Sequence, residues 1–291
     1  MEYIKLNNNI TMPKLGFGVY QIPKTETKQC VLDALKAGFR SIDTAQGYNN
    51  EKEVGDAIKE SKIKREEIFL TTKIWTDNFG YEKTKKSLED SFRKLQVEYI
   101  DLVLIHHPFS DYYGSYKALE EYYERGLIKA IGVSNFSNDR LCDLTTFNKI
   151  KPAINQIEIN PRYQRKEEIK YNKSIDVQVE AWAPFGEGKN NIFTNPVLLE
   201  IAKKHNKTTA QVILRWLLDQ NIVVVCKTTH YSRMIENFNV FDFKLDDKDN
   251  LLISSLDTSS SLFFEDNTVS GVNRMVEVIN KRRIEFKNTK D

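Results

Sequence analysis

The stretch Ser41-Ile-Asp-Thr-Ala-Gln-Gly-Tyr-Asn-Asn-Glu-Lys-Glu-Val-Gly55 decides how the rest of this chain is interpreted. A helix-like run, Gln29 to Ala37, precedes it, and Gly38 can end that helix because glycine accepts the left-handed conformation of a helix C-terminus. The short apolar strand Arg40 to Thr44 then delivers the carboxylate of Asp43 to the start of a loop. A carboxylate buried at a strand end must be paired, so cations are expected at the ends of later strands.

Apolar, strand-like runs alternate with helix-like runs through the rest of the chain. The strand-like runs are nearly continuously apolar, as expected of parallel strands covered on both faces. Helix-like runs such as Lys83 to Leu95 and Thr208 to Asp219 carry their apolar residues on one face. The eight strand-like runs are Ile42 to Thr44, Ile68 to Ile74, Ile100 to His106, Ala130 to Ser134, Ile154 to Ile159, Val177 to Ala183, Ile222 to Cys226 and Asn239 to Phe243. Eight β/α units predict an α/β fold, a (β/α)8 TIM barrel, as a single domain over residues 1–291.

The two ends of the chain add to this architecture. Tyr3 to Leu6 and Met12 to Gly18 flank Asn7-Asn-Asn9, which predicts an N-terminal β-hairpin because asparagine tolerates positive φ. Ser259 to Met275 has a helix-poor composition and is expected to form a C-terminal tail. A doubly wound dinucleotide-binding sheet is the weaker alternative, since Gly16-Phe-Gly18 lies in the hairpin and has no third glycine.

Composition excludes several classes of protein. The 291 residues contain 43 Lys and Arg against 41 Asp and Glu, a net charge of +2, which is too balanced for a nucleic-acid or membrane partner. The three cysteines lack metal-ligand spacing, so no metal is expected and a reducing cytosol fits best. The N-terminus has no long apolar core. We therefore expect a soluble, cytoplasmic monomer.

Polar residues lie at the C-terminal ends of the first three strand-like runs. In a TIM barrel the active site lies at that end of the strands. These polar residues are Asp43 with Tyr48 in its loop, then Lys73, then His106. Singly, each has a structural interpretation as an ion pair, a half-buried aromatic or a core histidine. Converging in one cleft, an Asp and a Lys are expected to lower the pKa of a tyrosine from about 10. Such a tyrosine can protonate a developing alkoxide, worth roughly 10²–10⁴-fold in rate, while neutral His106 orients the carbonyl.

This spacing resembles the aldo-keto reductase family, whose signature of a glycine, a short strand, Ile-Asp-Thr-Ala, a tyrosine and Asn-Glu is nearly unaltered here. Further matches are Gly132-Val-Ser-Asn-Phe136, Asn155-Gln-Ile-Glu158 and Ala210-Gln-Val-Ile-Leu-Arg-Trp216. By that resemblance Asp43, Tyr48, Lys73 and His106 form the catalytic tetrad. It implies an NADPH-dependent oxidoreductase that reduces aldehydes or ketones by hydride transfer, with Tyr48 as general acid and the tail over the active-site end.

The resemblance also implies which residues bind NADPH. Ser134, Asn135 and Gln156 would hold the nicotinamide carboxamide, a task that suits side-chain amides because they both donate and accept. Trp182 replaces a tyrosine that stacks on the nicotinamide ring, with a barrel-rim tryptophan as the alternative. The residues implied around the adenosine 2′-phosphate and adenine are Lys227, Thr228, Arg233, Glu236 and Asn237. A lysine and an arginine suit a phosphate dianion, although Arg233 and Glu236 also have the spacing of an ordinary helical ion pair.

The sequence departs from the family pattern at several positions. Val225-Cys226 replaces Ile-Pro, and Glu187 places an acid where the cofactor pyrophosphate is expected. The residues assigned to the substrate pocket are Tyr20, Trp75 and His107, joined by the tail residues Leu262-Phe-Phe264 into an apolar, aromatic mouth. Tyr20 stands where many members carry tryptophan, and His107 stands where some members carry a bulky aromatic, so the substrate preference of other members does not transfer.

Three rival functions remain open at this stage. A Schiff-base aldolase would use Lys73 or Lys227 as a desolvated amine nucleophile. A metal-dependent hydrolase is less supported, because of four histidines only His106 and His107 are near each other. The third rival is a non-enzymatic NADPH-binding sensor or accessory subunit on the same barrel.

Overall fold

A computed structural model describes residues 1–264 and 267–288, with side chains described to residue 283. The strands are β1 (Tyr3–Lys5), β2 (Thr11–Pro13), β3 (Leu15–Gly18), β4 (Ser41–Asp43), β5 (Phe69–Ile74), β6 (Ile100–Ile105), β7 (Ile128–Ser134), β8 (Ile154–Glu158), β9 (Gln178–Trp182) and β10 (Val223–Cys226). The helices are α1 (Lys24–Ala37), α2 (Glu51–Ser61), α3 (Tyr81–Leu95), α4 (Tyr112–Glu124), α5 (Asn138–Phe147), α6 (Lys166–Ser174), α7 (Pro196–His205), α8 (Thr209–Asp219), α9 (Tyr231–Phe238), α10 (Asp247–Ser254) and α11 (Val269–Asn288). Strands β3 to β10 pair in parallel and close into a barrel, with β10 beside β3, which confirms the (β/α)8 fold.

The first barrel strand was placed incorrectly by the sequence analysis. β3 was assigned to the hairpin, but it is buried along its whole length and pairs in parallel with β4 and β10. The hairpin itself is β1 paired with β2, and Asn9 in its turn has the expected positive φ of 69°. Pro13 is the last residue of β2 and lies opposite Tyr3.

Asn239 to Phe243, predicted as the eighth strand, is not a strand. Its backbone carbonyls are taken by side chains of α8: Gln211 Nε2 donates to the Asn239 oxygen at 2.8 Å, and Arg215 Nη1 donates to the Val240 oxygen at 3.2 Å. Phe243 packs against His205, with ring centroids 5.5 Å apart. The segment therefore packs against α7 and α8 instead of joining the barrel sheet, and β3 supplies the eighth strand.

Two predicted helix ends are confirmed by their hydrogen bonds. α1 ends at Gly38, whose φ of 113° allows its N–H to reach the carbonyls of the last turn. α8 begins with a capping box in which Thr208 and Gln211 bond each other's backbone N–H groups. Both ends depend on residues next to the helix, which is why the sequence alone located them.

The C-terminal tail is helical over part of the range predicted to be helix-poor. α11 begins at Val269, and the Thr268 hydroxyl accepts a hydrogen bond from Gly271 N at 3.0 Å. The prediction is therefore wrong for residues 269–275, because one capping threonine starts a helix despite unfavourable average composition. No helix among residues 1–264 and 267–288 is long and apolar enough to cross a membrane.

Candidate active site

Asp43, Lys73 and Tyr48 meet inside the C-terminal end of the barrel. Asp43 closes β4, Lys73 lies in β5, and Tyr48 ends a short 3-10 turn after β4. Lys73 Nζ donates to Asp43 Oδ1 at 2.5 Å and to the Thr44 carbonyl at 3.1 Å, and it lies 3.4 Å from the Tyr48 hydroxyl oxygen. The Lys73 side chain has no exposed surface. The geometry predicted from the strand ends is therefore present.

The pKa of Tyr48 is not lowered as the sequence analysis expected. Burial raises it to about 12, although the charge and hydrogen bond of Lys73 oppose that rise. Burial by itself lowers the pKa of Lys73, but Asp43 and Tyr48 together raise it above its ordinary value. Near neutral pH the site therefore holds a protonated phenol beside a protonated lysine, the state from which a proton can be donated.

His106 follows β6 and faces the same cluster. Its ring lies edge-on to the Tyr48 ring, with centroids 5.7 Å apart, and edge-on to Trp75 at 5.2 Å. Burial, then the nearby charges of His107, Lys73 and Arg282, holds the pKa of His106 well below its usual range. The imidazole is thus neutral at physiological pH and can form a hydrogen bond with a substrate oxygen without carrying charge.

The three residues implied for the nicotinamide carboxamide lie together at the ends of β7 and β8. Ser134 Oγ donates to the backbone carbonyl oxygen of Gln156 at 3.0 Å, and Asn135 N donates to the same oxygen at 2.9 Å. Asn135 has a positive φ of 63°, which turns its side chain towards the His106 carbonyl, where Nδ2 donates at 3.1 Å. Gln156 Nε2 donates to Asp43 Oδ2 at 3.0 Å, so this polar cluster is joined to the tetrad.

Trp182 ends β9 and carries the aromatic face implied for ring stacking. Its Nε1 donates to Asn135 Oδ1 at 2.8 Å, which fixes the orientation of the indole. Phe263 of the tail packs against it with ring centroids 5.2 Å apart. A cavity of about 110 Å³ has Asn135, Trp182 and Phe264 among its lining residues. An aromatic ring and amide groups thus border one space at the mouth of the barrel.

The residues implied for the 2′-phosphate lie after β10 and along α9. Lys227 and Arg233 are exposed, and neither forms an ion pair with any residue that the structure describes. The alternative Arg233–Glu236 pair is not formed, because Glu236 Oε1 accepts instead from the Thr208 hydroxyl at 2.8 Å. Thr228 is buried, and its hydroxyl accepts from His230 N at 3.2 Å. Two unneutralised cations beside a hydroxyl fit a phosphate group.

Asn237 and Glu187 have structural partners of their own. Asn237 is buried on α9 and lies near the Cys226 thiol, whose pKa burial raises to about 12 while Asn237 opposes that rise. Glu187, in the loop after β9, accepts from Gln21 Nε2 at 3.3 Å. That bond joins the loop after β9 to the loop after β3. It also occupies one carboxylate oxygen of Glu187, the acid that lies where the cofactor pyrophosphate is expected.

Aromatic side chains surround the mouth of the barrel, and they include the residues predicted to form the substrate pocket. Tyr20 is 49% exposed and packs on the Tyr48 ring at 4.8 Å between centroids. His107 is buried and stacks on His106 at 4.8 Å, and Phe264 of the tail approaches His107 at 6.1 Å. The guanidinium carbon of Arg282, on α11, lies 4.5 Å from the centre of the Trp75 ring. The tail thus reaches the active-site end of the barrel.

Two buried carboxyl groups to which the sequence assigned no role, Glu158 and Glu180, lie beside this site. Glu158, at the end of β8, accepts from Ser261 Oγ at 2.6 Å and from Leu262 N at 3.0 Å, and so holds the tail down. Glu180, in the middle of β9, is fully buried and accepts from Gln156 Nε2 at 2.9 Å. The signal for Glu180 was an acid flanked by Val179 and Ala181 in a strand otherwise read as apolar.

The rival chemistries lack the groups they need. A Schiff-base lysine must lose its proton, yet Asp43 and Tyr48 keep Lys73 charged, and Lys227 is exposed and not desolvated. No group of three or more His, Cys, Asp or Glu residues suited to a metal ion exists among the residues that the structure describes. The fold and the site define a TIM barrel with a buried cluster of Asp43, Lys73 and Tyr48 at the C-terminal end of its strands.

Comparison with known proteins identifies the family. A model of the aldo/keto reductase family matches residues 14–258. The glyoxal reductase of Bacillus subtilis is 45% identical over 250 residues, which cover 85% of this chain and 90% of that protein. The crystal structure of an aldo-keto reductase from a Medee basin deep-sea metagenome library is 43% identical, with a TM-score of 0.89, and the match covers 91% of this chain and 99% of that chain. A Bombyx mori aldo-keto reductase in complex with NADP is 31% identical, with a TM-score of 0.85 and coverage of 90% and 95%.

The chain belongs to the aldo-keto reductase family, whose members are NADP-dependent oxidoreductases. The resemblance drawn from the sequence is thereby confirmed, and so is the general reaction, carbonyl reduction. α11 lies beyond the residues that the family model matches.

Proposed function

We propose that this enzyme reduces small aldehydes and ketones with NADPH, and that Tyr48 donates the proton. The observation that carries this proposal is the buried contact of Tyr48 with Lys73, which is itself bonded to Asp43. Glyoxal and similar dicarbonyl aldehydes are the first substrates to test, because a glyoxal reductase is 45% identical.

Each polar residue of the cluster has a separate task in this mechanism. Neutral His106 donates a hydrogen bond to the substrate carbonyl oxygen and orients it towards the Tyr48 hydroxyl. The Tyr48 proton passes to that oxygen as negative charge develops on it, and the ammonium of Lys73 stabilises the phenolate that remains. Asp43 keeps Lys73 in place and charged. Bound NADPH supplies the hydride that reduces the carbonyl carbon.

The residues around the mouth fit NADPH at two separate points. Ser134, Asn135 and Gln156 present hydroxyl and amide groups at the strand ends beside Trp182, which suits a carboxamide on an aromatic ring. Lys227 and Arg233 are exposed cations near the start of α9, which suits a 2′-phosphate. On this basis the enzyme prefers NADPH to NADH.

The test is the oxidation of NADPH, followed by its absorbance, with glyoxal, methylglyoxal, a bulky aromatic aldehyde and a ketone. We expect turnover with the small aldehydes and no covalent adduct after borohydride treatment in the presence of substrate. NADPH binding without turnover of any carbonyl compound would favour a sensor or accessory subunit. A borohydride-trapped lysine would favour an aldolase.

A further inference from the structure

Glu180 is a buried acid that the mechanism above does not use. It lies in β9 with no exposed surface, and its side chain points into the barrel, where Oε2 accepts from Gln156 Nε2 at 2.9 Å. The same Nε2 donates to Asp43 Oδ2 at 3.0 Å. One amide group therefore connects Glu180 to the Asp43 carboxylate, and through it to Lys73.

This arrangement fixes the orientation of the Gln156 amide. The reverse orientation would place the amide oxygen against the ionised carboxylate of Asp43, which is repulsive. With its NH2 group held between Asp43 and Glu180, Gln156 has its carbonyl oxygen left for another donor. An amide oxygen accepts hydrogen bonds, and the carboxamide of a nicotinamide ring offers an NH2 group as donor.

The surroundings of Glu180 do not stabilise a negative charge on its carboxyl group in addition to that of Asp43. Its Oε1 has no hydrogen-bond partner among the residues that the structure describes. Lys73 Nζ is already bonded to Asp43 and to the Thr44 carbonyl. On the other side, β10 places Val223 opposite Glu180 and contributes no charge there. An ionised carboxylate buried without its own cation is strongly unfavourable.

The ionisable groups around Glu180 favour the same conclusion. These groups are Asp43 on β4 and Lys73 on β5, while Gln156 on β8 is polar and uncharged. Burial, followed by the charge of Asp43, raises the pKa of Glu180 to about 8, although Gln156 and Lys73 oppose that rise. Near neutral pH the three charged or ionisable side chains then carry one positive and one negative charge.

We propose that Glu180 is a positioning residue: held neutral, it orients the Gln156 amide and preserves the charge balance of the tetrad in which Tyr48 donates its proton. The inference rests on the proposed role of Tyr48. When Glu180 ionises, it adds a negative charge beside the Asp43–Lys73 pair. That charge disfavours formation of the phenolate, so Tyr48 becomes a weaker acid and reduction slows.

The first test is the pH dependence of kcat for NADPH-dependent reduction, compared in wild type and Glu180→Gln. Glutamine keeps the shape and the carbonyl acceptor but cannot ionise. We expect the wild-type rate, normalised to its value at about pH 6, to fall several-fold between about pH 8 and about pH 9. The normalised profile of Glu180→Gln should extend higher by about one pH unit. Superimposable profiles would overturn the proposal.

The second test measures thermal unfolding without any substrate. A carboxyl group whose pKa is raised on folding, from about 4.3 in the unfolded chain, stabilises the fold fully below that unfolded value and progressively less as pH rises towards its folded value. Glu180→Gln does not lose stability in this way, because glutamine does not ionise. The Tm of Glu180→Gln minus that of wild type should therefore increase between about pH 5 and about pH 8. A difference that is constant with pH would show that Glu180 is already ionised and overturn the proposal.

A third variant separates orientation from packing. Glu180→Leu fills similar space but removes the acceptor for Gln156, so the dissociation constant for NADPH should rise roughly tenfold, and clearly more than in Glu180→Gln. Equal changes in both variants would leave only a packing role for Glu180. Tyr48→Phe serves as the reference throughout. If it retains turnover, the proposed function fails; if it loses turnover while Glu180→Gln keeps the wild-type profile, only the role of Glu180 fails.

Discussion

The proposed preference for NADPH over NADH rests on two exposed side chains, Lys227 and Arg233. A hydrogen bond to a charged group contributes about 1.5–3 kcal/mol, so Arg233→Ala should weaken NADPH binding by roughly ten- to a hundredfold. NADH has no 2′-phosphate, and its dissociation constant should change little. Both constants can be measured by quenching of tryptophan fluorescence, with Trp182 as reporter, at one fixed ionic strength, because salt screens exposed charges.

Lys248→Ala is the matched control for that experiment. Lys248 is an exposed cation on α10, so its removal changes the net charge equally. NADPH affinity should be close to wild type in this variant. Equal losses of NADH and NADPH binding in Arg233→Ala would point to general damage of the site, and no loss of either would leave the 2′-phosphate without this partner.

At the level of elements, the tail borders the mouth of the barrel, where we propose that the substrate binds. Glu158 holds its start, and Phe264 lies against His107. Phe264→Ala removes part of the aromatic wall, so KM for a bulky aromatic aldehyde should rise by about three- to tenfold, while KM for glyoxal changes less. Phe147→Ala on α5 is the control, because that side chain is 73% exposed. An equal rise in KM for large and small substrates would show that Phe264 does not line the pocket.

The elements predicted correctly were those defined by neighbouring residues. Gly38 and Thr208 mark helix ends through bonds made within a few residues. β3 and the Asn239 to Phe243 segment were predicted incorrectly because their conformation depends on distant partners. β3 becomes a barrel strand by pairing with β4 and β10. In the later segment, side chains of Gln211 and Arg215 bond the backbone carbonyls that a neighbouring strand would otherwise bond.

The same distinction applies to the site. The proximity of the four predicted tetrad residues could be foreseen because a TIM barrel collects the residues at its strand ends, and Asp43, Lys73 and His106 each end an apolar run. Glu180 could not be assigned a role, since only the closed barrel brings β8 opposite β4, where the Gln156 amide bonds both Asp43 and Glu180. The pKa of Tyr48 was predicted in the wrong direction because the extent of burial, which dominates it, depends on the whole fold.

For the whole molecule, the N-terminal hairpin closes the barrel end opposite the active site. Met12 has no exposed surface and packs with Leu6, Phe69 and Leu102. Met12→Ala should therefore lower the free energy of unfolding by about 2–5 kcal/mol, measured by urea denaturation. Tyr3→Ala, on the exposed side of β1, should change it by less than about 1 kcal/mol. Similar losses of unfolding free energy in both variants would show that the hairpin is not held in place mainly by the burial of Met12.

We propose that Tyr48 is the proton donor for carbonyl reduction, and the turnover of Tyr48→Phe tests this role. The variant lacks one hydroxyl group, so the fold and the dissociation constant for NADPH should remain close to wild type. We expect kcat for glyoxal at about pH 7 to fall by roughly 10²-fold or more. A folded Tyr48→Phe enzyme that binds NADPH normally and reduces glyoxal within a few-fold of the wild-type rate would show that the proton comes from another group.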